Sequence, residues 1–90
     1  YECTAMIWAN GNGHIECAKL LLDAKAKIDD RDYSGKTALI WAAEKGHSPC
    51  LHMLIEVKAD IEVRDSFYGR TALMWAAGNG QTSCVQLLLQ

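Results

Sequence analysis

The chain has 90 residues, half of them hydrophobic and 22% charged, a composition that folds as one small domain or a piece of one and excludes disorder. The net charge of −2 argues against an electrostatic nucleic-acid binder and leaves no polybasic membrane anchor. No apolar run approaches the roughly 18 residues a membrane-spanning helix needs, and Tyr1 to Thr4 carry no positive charge that would open a signal peptide.

In chain order, Tyr1 falls inside a finger-like segment, and Thr4-Ala5-Met6-Ile7-Trp8-Ala9 opens a first helix. A Gly13-His14 turn follows, then a second helix carrying Cys17 and Leu20-Leu21-Leu22. The middle of the chain states the same unit in full. Thr37 is placed to cap a helix containing Leu39, Ile40, Trp41, Ala42 and Ala43. Gly46 ends it, because glycine tolerates the left-handed conformation. Ser48-Pro49 reads as an N-cap followed by proline in the first turn. The second helix runs to about Val57, with Cys50, Leu51, Met53, Leu54 and Val57 on one face. An alternating stretch, Ala59 to Arg64, then extends to a turn-rich tip from Asp65 to Gly69. Thr71-Ala72-Leu73-Met74-Trp75-Ala76-Ala77 starts the unit again.

The unit is a repeat. Trp8, Trp41 and Trp75 are separated by 33 and then 34 residues, and Cys17, Cys50 and Cys84 keep the same phase. The extra residue of the second period falls in Ser66-Phe67-Tyr68. One such unit cannot bury its apolar face alone, so neighbours must stack. The tryptophans are expected to form a buried ladder, each removing roughly 150–250 Å² from water.

With these residues in place the chain resembles the ankyrin repeat family, through Asp32 and Gly35 before Thr37, the T-A-L-x-W-A-A block, Gly46-His47 and Ala59-Asp60-Ile61. The resemblance implies an all-α solenoid: an ankyrin stack of helix–turn–helix units with extended β-turn fingers. It makes residues 1–90 one domain of about three repeats, approximately 1–31, 32–64 and 65–90, the first and last incomplete. Departures are specific. Alanine replaces the signature proline at Ala5, Ala38 and Ala72, and Ile7, Ile40 and Met74 replace its histidine, so apolar packing is expected there. Lys25 and Lys58 stand where the family has glycine after the second helix, and Glu2 where its tip has glycine. Neither end reads as a polar capping repeat, so the segment is expected to belong to a longer array.

Few constellations suggest chemistry. Cys17, Cys50 and Cys84 are expected to face the core as free thiols, since stacked helices lie roughly 8–10 Å apart and a disulfide needs Cα atoms within about 7 Å. Reduced cysteines point to an intracellular, cytoplasmic or nuclear setting. His14 and His47 open second helices, where local hydrogen bonding is expected, and His52 faces solvent. Gly11-Asn12-Gly13 and Gly78-Asn79-Gly80 resemble pieces of a phosphate loop, but a tight helix–helix turn explains them. Asp29, Asp30 and Asp32 with Arg31 read as an exposed, self-neutralising finger. No catalytic residue, metal site or cofactor is expected.

What remains is surface. The resemblance implies that fingers and first-helix ends hold a protein partner. The candidate binding residues are Arg31, Tyr33, Lys36, Glu44, Lys45, Arg64, Phe67, Tyr68, Arg70 and Asn79, with Phe67-Tyr68 between two arginines the sharpest feature. The expected function is a non-enzymatic protein–protein interaction module. Alternatives are a structural spacer in a larger protein, or a surface for a small anionic ligand or nucleic acid, which the net charge disfavours.

Overall fold

The computed structural model describes residues 3–90. Tyr1, and the expectation that Glu2 damages the first tip, lie outside them. Among the described residues there are six helices and no strand: α1 (Ala5–Gly11), α2 (Ile15–Asp23), α3 (Ala38–Lys45), α4 (Ser48–Glu56), α5 (Ala72–Gly78) and α6 (Thr82–Leu89). The first helix of each pair packs on the next first helix, α1 on α3 on α5, and α2, α4 and α6 form the second layer.

Local chemistry sets each helix boundary. Thr4, Thr37 and Thr71 are extended residues whose hydroxyls accept from the N–H of Ile7, Ile40 and Met74 at 3.2, 3.3 and 3.4 Å. Each occupies an N–H that the helix leaves without a partner. At the other end Gly46 adopts φ 80°, and the His47 N–H reaches back to the Ala42 carbonyl at 2.9 Å. This left-handed closure favours glycine, which carries no Cβ penalty. The second helices close in the same way, but with lysine. Lys25 and Lys58 sit at φ 67° and 68°, and the N–H groups of Ala26 and Ala59 bond to Leu21 and Leu54. The backbone geometry of the family glycine is therefore retained without glycine.

The N-cap of α4 is His47, not Ser48. Ser48 opens the helix and Pro49 follows it, still within the turn where a missing N–H is harmless. The caps His14, His47 and Gln81 make no side-chain capping bond. His47 instead lays its imidazole against Gly13, where a Cβ would meet Nδ1 at 2.7 Å.

The core lies between the layers. Met6, Ile7, Leu39 and Ile40 enter from first helices, and Leu51 and Leu54 from α4, all at most 3% exposed. Ala38, Ala42, Ala72 and Ala76 let the helices approach closely. Buried Ile7 and Ile40 provide the apolar packing expected at the family histidine, whereas Met74 is exposed.

The tryptophans do not form a buried ladder. Trp8 is 63% exposed, and Trp41 and Trp75 are only partly buried at the edge of the core. Leu39 and Ile40 take the inward positions of α3, leaving Trp41 on the finger side. There its indole N–H finds an acceptor, which a purely apolar core would deny it.

The cysteines also divide. All four are free; Cys50 and Cys84 are buried, but Cys17 is exposed, against expectation. Cys84 shows why, since its Sγ lies 3.8 Å from Ser48 Oγ of the preceding repeat. This face of each second helix is covered by the repeat before it, and no described repeat lies before α2.

Candidate functional site

The fingers are built around two aspartates. Asp29 and Asp30 are exposed as expected, but Asp32 is buried, correcting the expectation for that residue. Its Oδ1 accepts from the Ser34 N–H at 2.9 Å, the Ser34 hydroxyl at 2.6 Å and the Lys36 N–H at 3.0 Å, and its Oδ2 accepts from Trp41 Nε1 at 2.8 Å. Asp65 repeats the plan, accepting from the N–H groups of Tyr68 and Arg70 and from Trp75 Nε1 at 3.1, 2.7 and 3.3 Å. Burial alone would push both carboxyls up. The hydrogen bonds outweigh it and hold both below the usual carboxylate range.

Neighbouring fingers are tied together. The Ser66 N–H donates to the Ser34 carbonyl at 2.9 Å, and Arg31 Nη2 donates to the Arg64 carbonyl at 2.7 Å. Arg31 Nε also donates to the Gly35 carbonyl, and Arg64 Nη1 to the Gly69 carbonyl. Both arginines therefore hold finger backbone in shape.

Lys36, expected on an exposed finger, is 9% exposed. Its ammonium lies 4.2 Å from the ring centroids of both Trp41 and Trp75 and 2.6 Å from Glu44 Oε1. Lys36 and Glu44 thus form an internal ion pair in an aromatic slot between two repeats. Arg70 stacks over Tyr68 and Trp75 at 4.6 and 5.0 Å, and Tyr68 meets Trp75 edge-on at 5.9 Å. Asn79 Nδ2 donates to the Glu44 carbonyl at 3.2 Å, as does Gln81 Nε2. Gln81 had no signal in sequence beyond its repeat phase.

The candidate residues therefore separate. Tyr33, Phe67 and Tyr68 are 76%, 66% and 65% exposed at the finger tips. Lys45, the last residue of α3, and Asn79, the residue after α5, are exposed beside the helix–helix turns. Arg31, Lys36 and Glu44 are partly or fully buried and hold the scaffold behind them, whereas Arg64 and Arg70 are exposed beside the tips. Among the described residues no group of three His, Cys, Asp or Glu could hold a metal ion, and no helix is long and apolar enough to cross a membrane. Burial pushes the Cys50 thiol up, away from the reactive thiolate.

A family model for ankyrin repeats in three copies matches residues 1–65 and 35–90. With its paired helices, αL closures and linked fingers, the chain belongs to the ankyrin repeat family. No curated protein matches it. Ankyrin repeats are in general protein–protein interaction modules, typically without enzymatic activity.

Proposed function

We propose that this chain is a non-enzymatic module that presents its finger tips to a protein partner. The observation that carries the reading is the row of exposed aromatics, Tyr33, Phe67 and Tyr68, on turns clamped by buried Asp32 and Asp65. Aromatic side chains lose little conformational entropy on binding and dominate interface energetics. Clamped backbone adds preorganisation. Lys45, Asn79, Arg64 and Arg70 extend the exposed surface, and Arg31, Lys36 and Glu44 act from behind it. The three repeats follow the approximate bounds 1–31, 32–64 and 65–90.

The module also suits a longer array. Trp8 and Cys17 stand exposed where their counterparts Trp41 and Cys50 are partly or fully covered by the preceding repeat. Four free thiols fit a reducing, intracellular compartment.

The test is affinity capture with the wild-type chain and a Tyr33→Ser, Phe67→Ser, Tyr68→Ser variant, both confirmed folded by circular dichroism. Selective loss of a captured protein with the variant supports the finger surface. An unchanged captured set refutes it and favours the spacer reading.

A further inference from the structure

The two outer faces of the described stack are the two halves of an interface that the chain already makes twice within itself. Side chains that face the preceding repeat are covered only where that repeat is present. Ala38 and Ala72 are buried and Ala5 is exposed; Cys50 and Cys84 are buried and Cys17 is exposed; Met53 and Leu87 are half-buried and Leu20 is exposed. Around Trp8 they leave an open hollow of about 700 Å³, lined by Ala5, Trp8, Asn12, Cys17 and Leu20 among others. Side chains that face the following repeat obey the same rule at the other end. Ile7 and Ile40 are 3% and 1% exposed, whereas Met74 in the same phase is 45% exposed. Ala43 is buried and Ala77 exposed, and Leu22 and Ile55 are half-buried where Leu89 is exposed.

We propose that a second copy of this chain docks its Trp8 face on the Met74 and Leu89 face of the first, continuing the stack head to tail. Apolar faces alone select no occupant, but the polar residues at the two ends do. Between the second and third repeats, Asn79 Nδ2 donates to the Glu44 carbonyl and Cys84 Sγ meets Ser48 Oγ. Between the first and second, Lys45 stands in place of that asparagine and Ile15 in place of that serine, so neither pairing exists there. At a junction of two copies both return. Asn12 brings the amide of Asn79 to the Gly78 carbonyl, the counterpart of Glu44, and Cys17 meets the hydroxyl of Thr82, the counterpart of Ser48. Asn12 Nδ2 already donates to the Trp8 carbonyl and keeps its second N–H for the junction. The charges fit as well. Inside the chain the Lys36 ammonium lies 4.2 Å from both Trp41 and Trp75. Its counterpart Arg70 lies 5.0 Å from Trp75 alone among the tryptophans, and Trp8 of the second copy is the ring that completes the pair. The α6 helix carries no charged residue, so nothing on it repels Glu16 or Lys19 of α2. A Cβ at Gly80 would meet nothing within 4 Å, which leaves room for His14 to pack there as His47 packs on Gly13. The junction joins unlike faces, so each added copy leaves both ends open and the stack grows.

The inference stands apart from the finger-tip reading, since no other protein enters it. The test is sedimentation velocity of the 90-residue chain from micromolar to millimolar concentration, beside two blocked variants. One carries Trp8→Glu and Leu20→Glu, the other Met74→Glu and Leu89→Glu. All four residues are exposed, and circular dichroism checks that both variants keep the wild-type helix content. The wild-type average mass is expected to rise past that of a dimer without a plateau. Each variant alone should sediment as a monomer. Their equimolar mixture should form a dimer and nothing larger, because each retains the face the other has lost. Adding Arg70→Ala to the Trp8 and Leu20 variant should weaken that dimer about two- to thirtyfold. A wild-type chain that is monomeric at millimolar concentration overturns the proposal and leaves both faces to further repeats of one chain. Association of either variant alone, or a mixture without dimer while the wild type associates, overturns it in favour of pairing through another face such as the fingers. A mixed dimer as tight with Arg70→Ala as without it would refute the junction of Trp8 with Arg70.

Discussion

Replacing Lys36 by methionine keeps its stem between the rings and removes only the charge. Two cation–ring contacts at 4.2 Å, each worth about 0.5–2 kcal/mol when partly desolvated, are lost. The pair with Glu44 is lost too, at side-chain exposures of 11% and 15%. That places it between an exposed pair, worth about 0–1 kcal/mol, and a buried one, where removing one partner costs about 3–5 kcal/mol. Lys45, 4.0 Å from Glu44 Oε2, compensates in part, and the new methionine packs against both indoles. The net destabilisation is expected to be about 2–3 kcal/mol. At about 4–8 °C per kcal/mol for a domain of this size, the melting temperature falls by roughly 8–24 °C. Thermal and urea unfolding of wild type, Lys36→Met, Glu44→Gln and the double variant complete a cycle. The expected coupling is about 1–2 kcal/mol. A Lys36→Met protein within about 0.5 kcal/mol of wild type, or a coupling near zero, would refute the view that this partly buried ion pair anchors two repeats.

Trp41→Ala should destabilise by about 2–3 kcal/mol and Trp8→Ala by less than about 1 kcal/mol, because truncation costs follow burial; equal losses in urea denaturation would contradict the positions of the rings. Lys25→Gly and Lys58→Gly should each raise stability by about 0.5–1 kcal/mol, since glycine meets the positive φ without a Cβ penalty, which chemical denaturation can resolve. Asp32 and Asp65 lie below their ordinary value of 3.8 when folded, so the unfolded chain takes up protons first as pH falls. Urea midpoints should therefore stay level from neutral pH to about 5 and drop below that, and Asp32→Asn should remove part of the acid limb.

The repeat was fully legible in the sequence, because its phase is carried by several residue types at once. Threonine caps and Gly46 follow from local backbone chemistry and could be placed by residue type alone, whereas the Lys25 and Lys58 closures were marked only by the family position of a glycine. The tryptophans could not. Their size suggested the core, but burial also depends on which side of a two-turn helix faces the neighbouring layer, and on whether an indole N–H finds an acceptor. The burial of Asp32 was hidden for a related reason. A charged residue beside Arg31 reads as solvated until the fold shows four hydrogen-bond donors converging on it. Lys36 looked like a finger residue because the slot that encloses it is built from two repeats, and no window on one repeat contains both walls. Cys17 marks the limit of repeat logic itself, since equivalent positions differ in exposure when only some have a covered face.

The two aspartate turns differ by one residue, yet both return the chain to a threonine cap and hold the indole that follows. Asp32 binds the N–H of Lys36 four positions on, and Asp65 binds that of Arg70 five positions on. The length difference is absorbed inside the clamp, and the helices beyond it keep their register. Doubling the length of such a loop costs only about 0.6 kcal/mol in closure entropy. The tip between Asp65 and Arg70 is therefore a site where segments can be inserted, exchanged or diversified without renegotiating the stack. The tip beyond the Ser66 link to its neighbour can acquire a new shape while the helical frame is inherited unchanged.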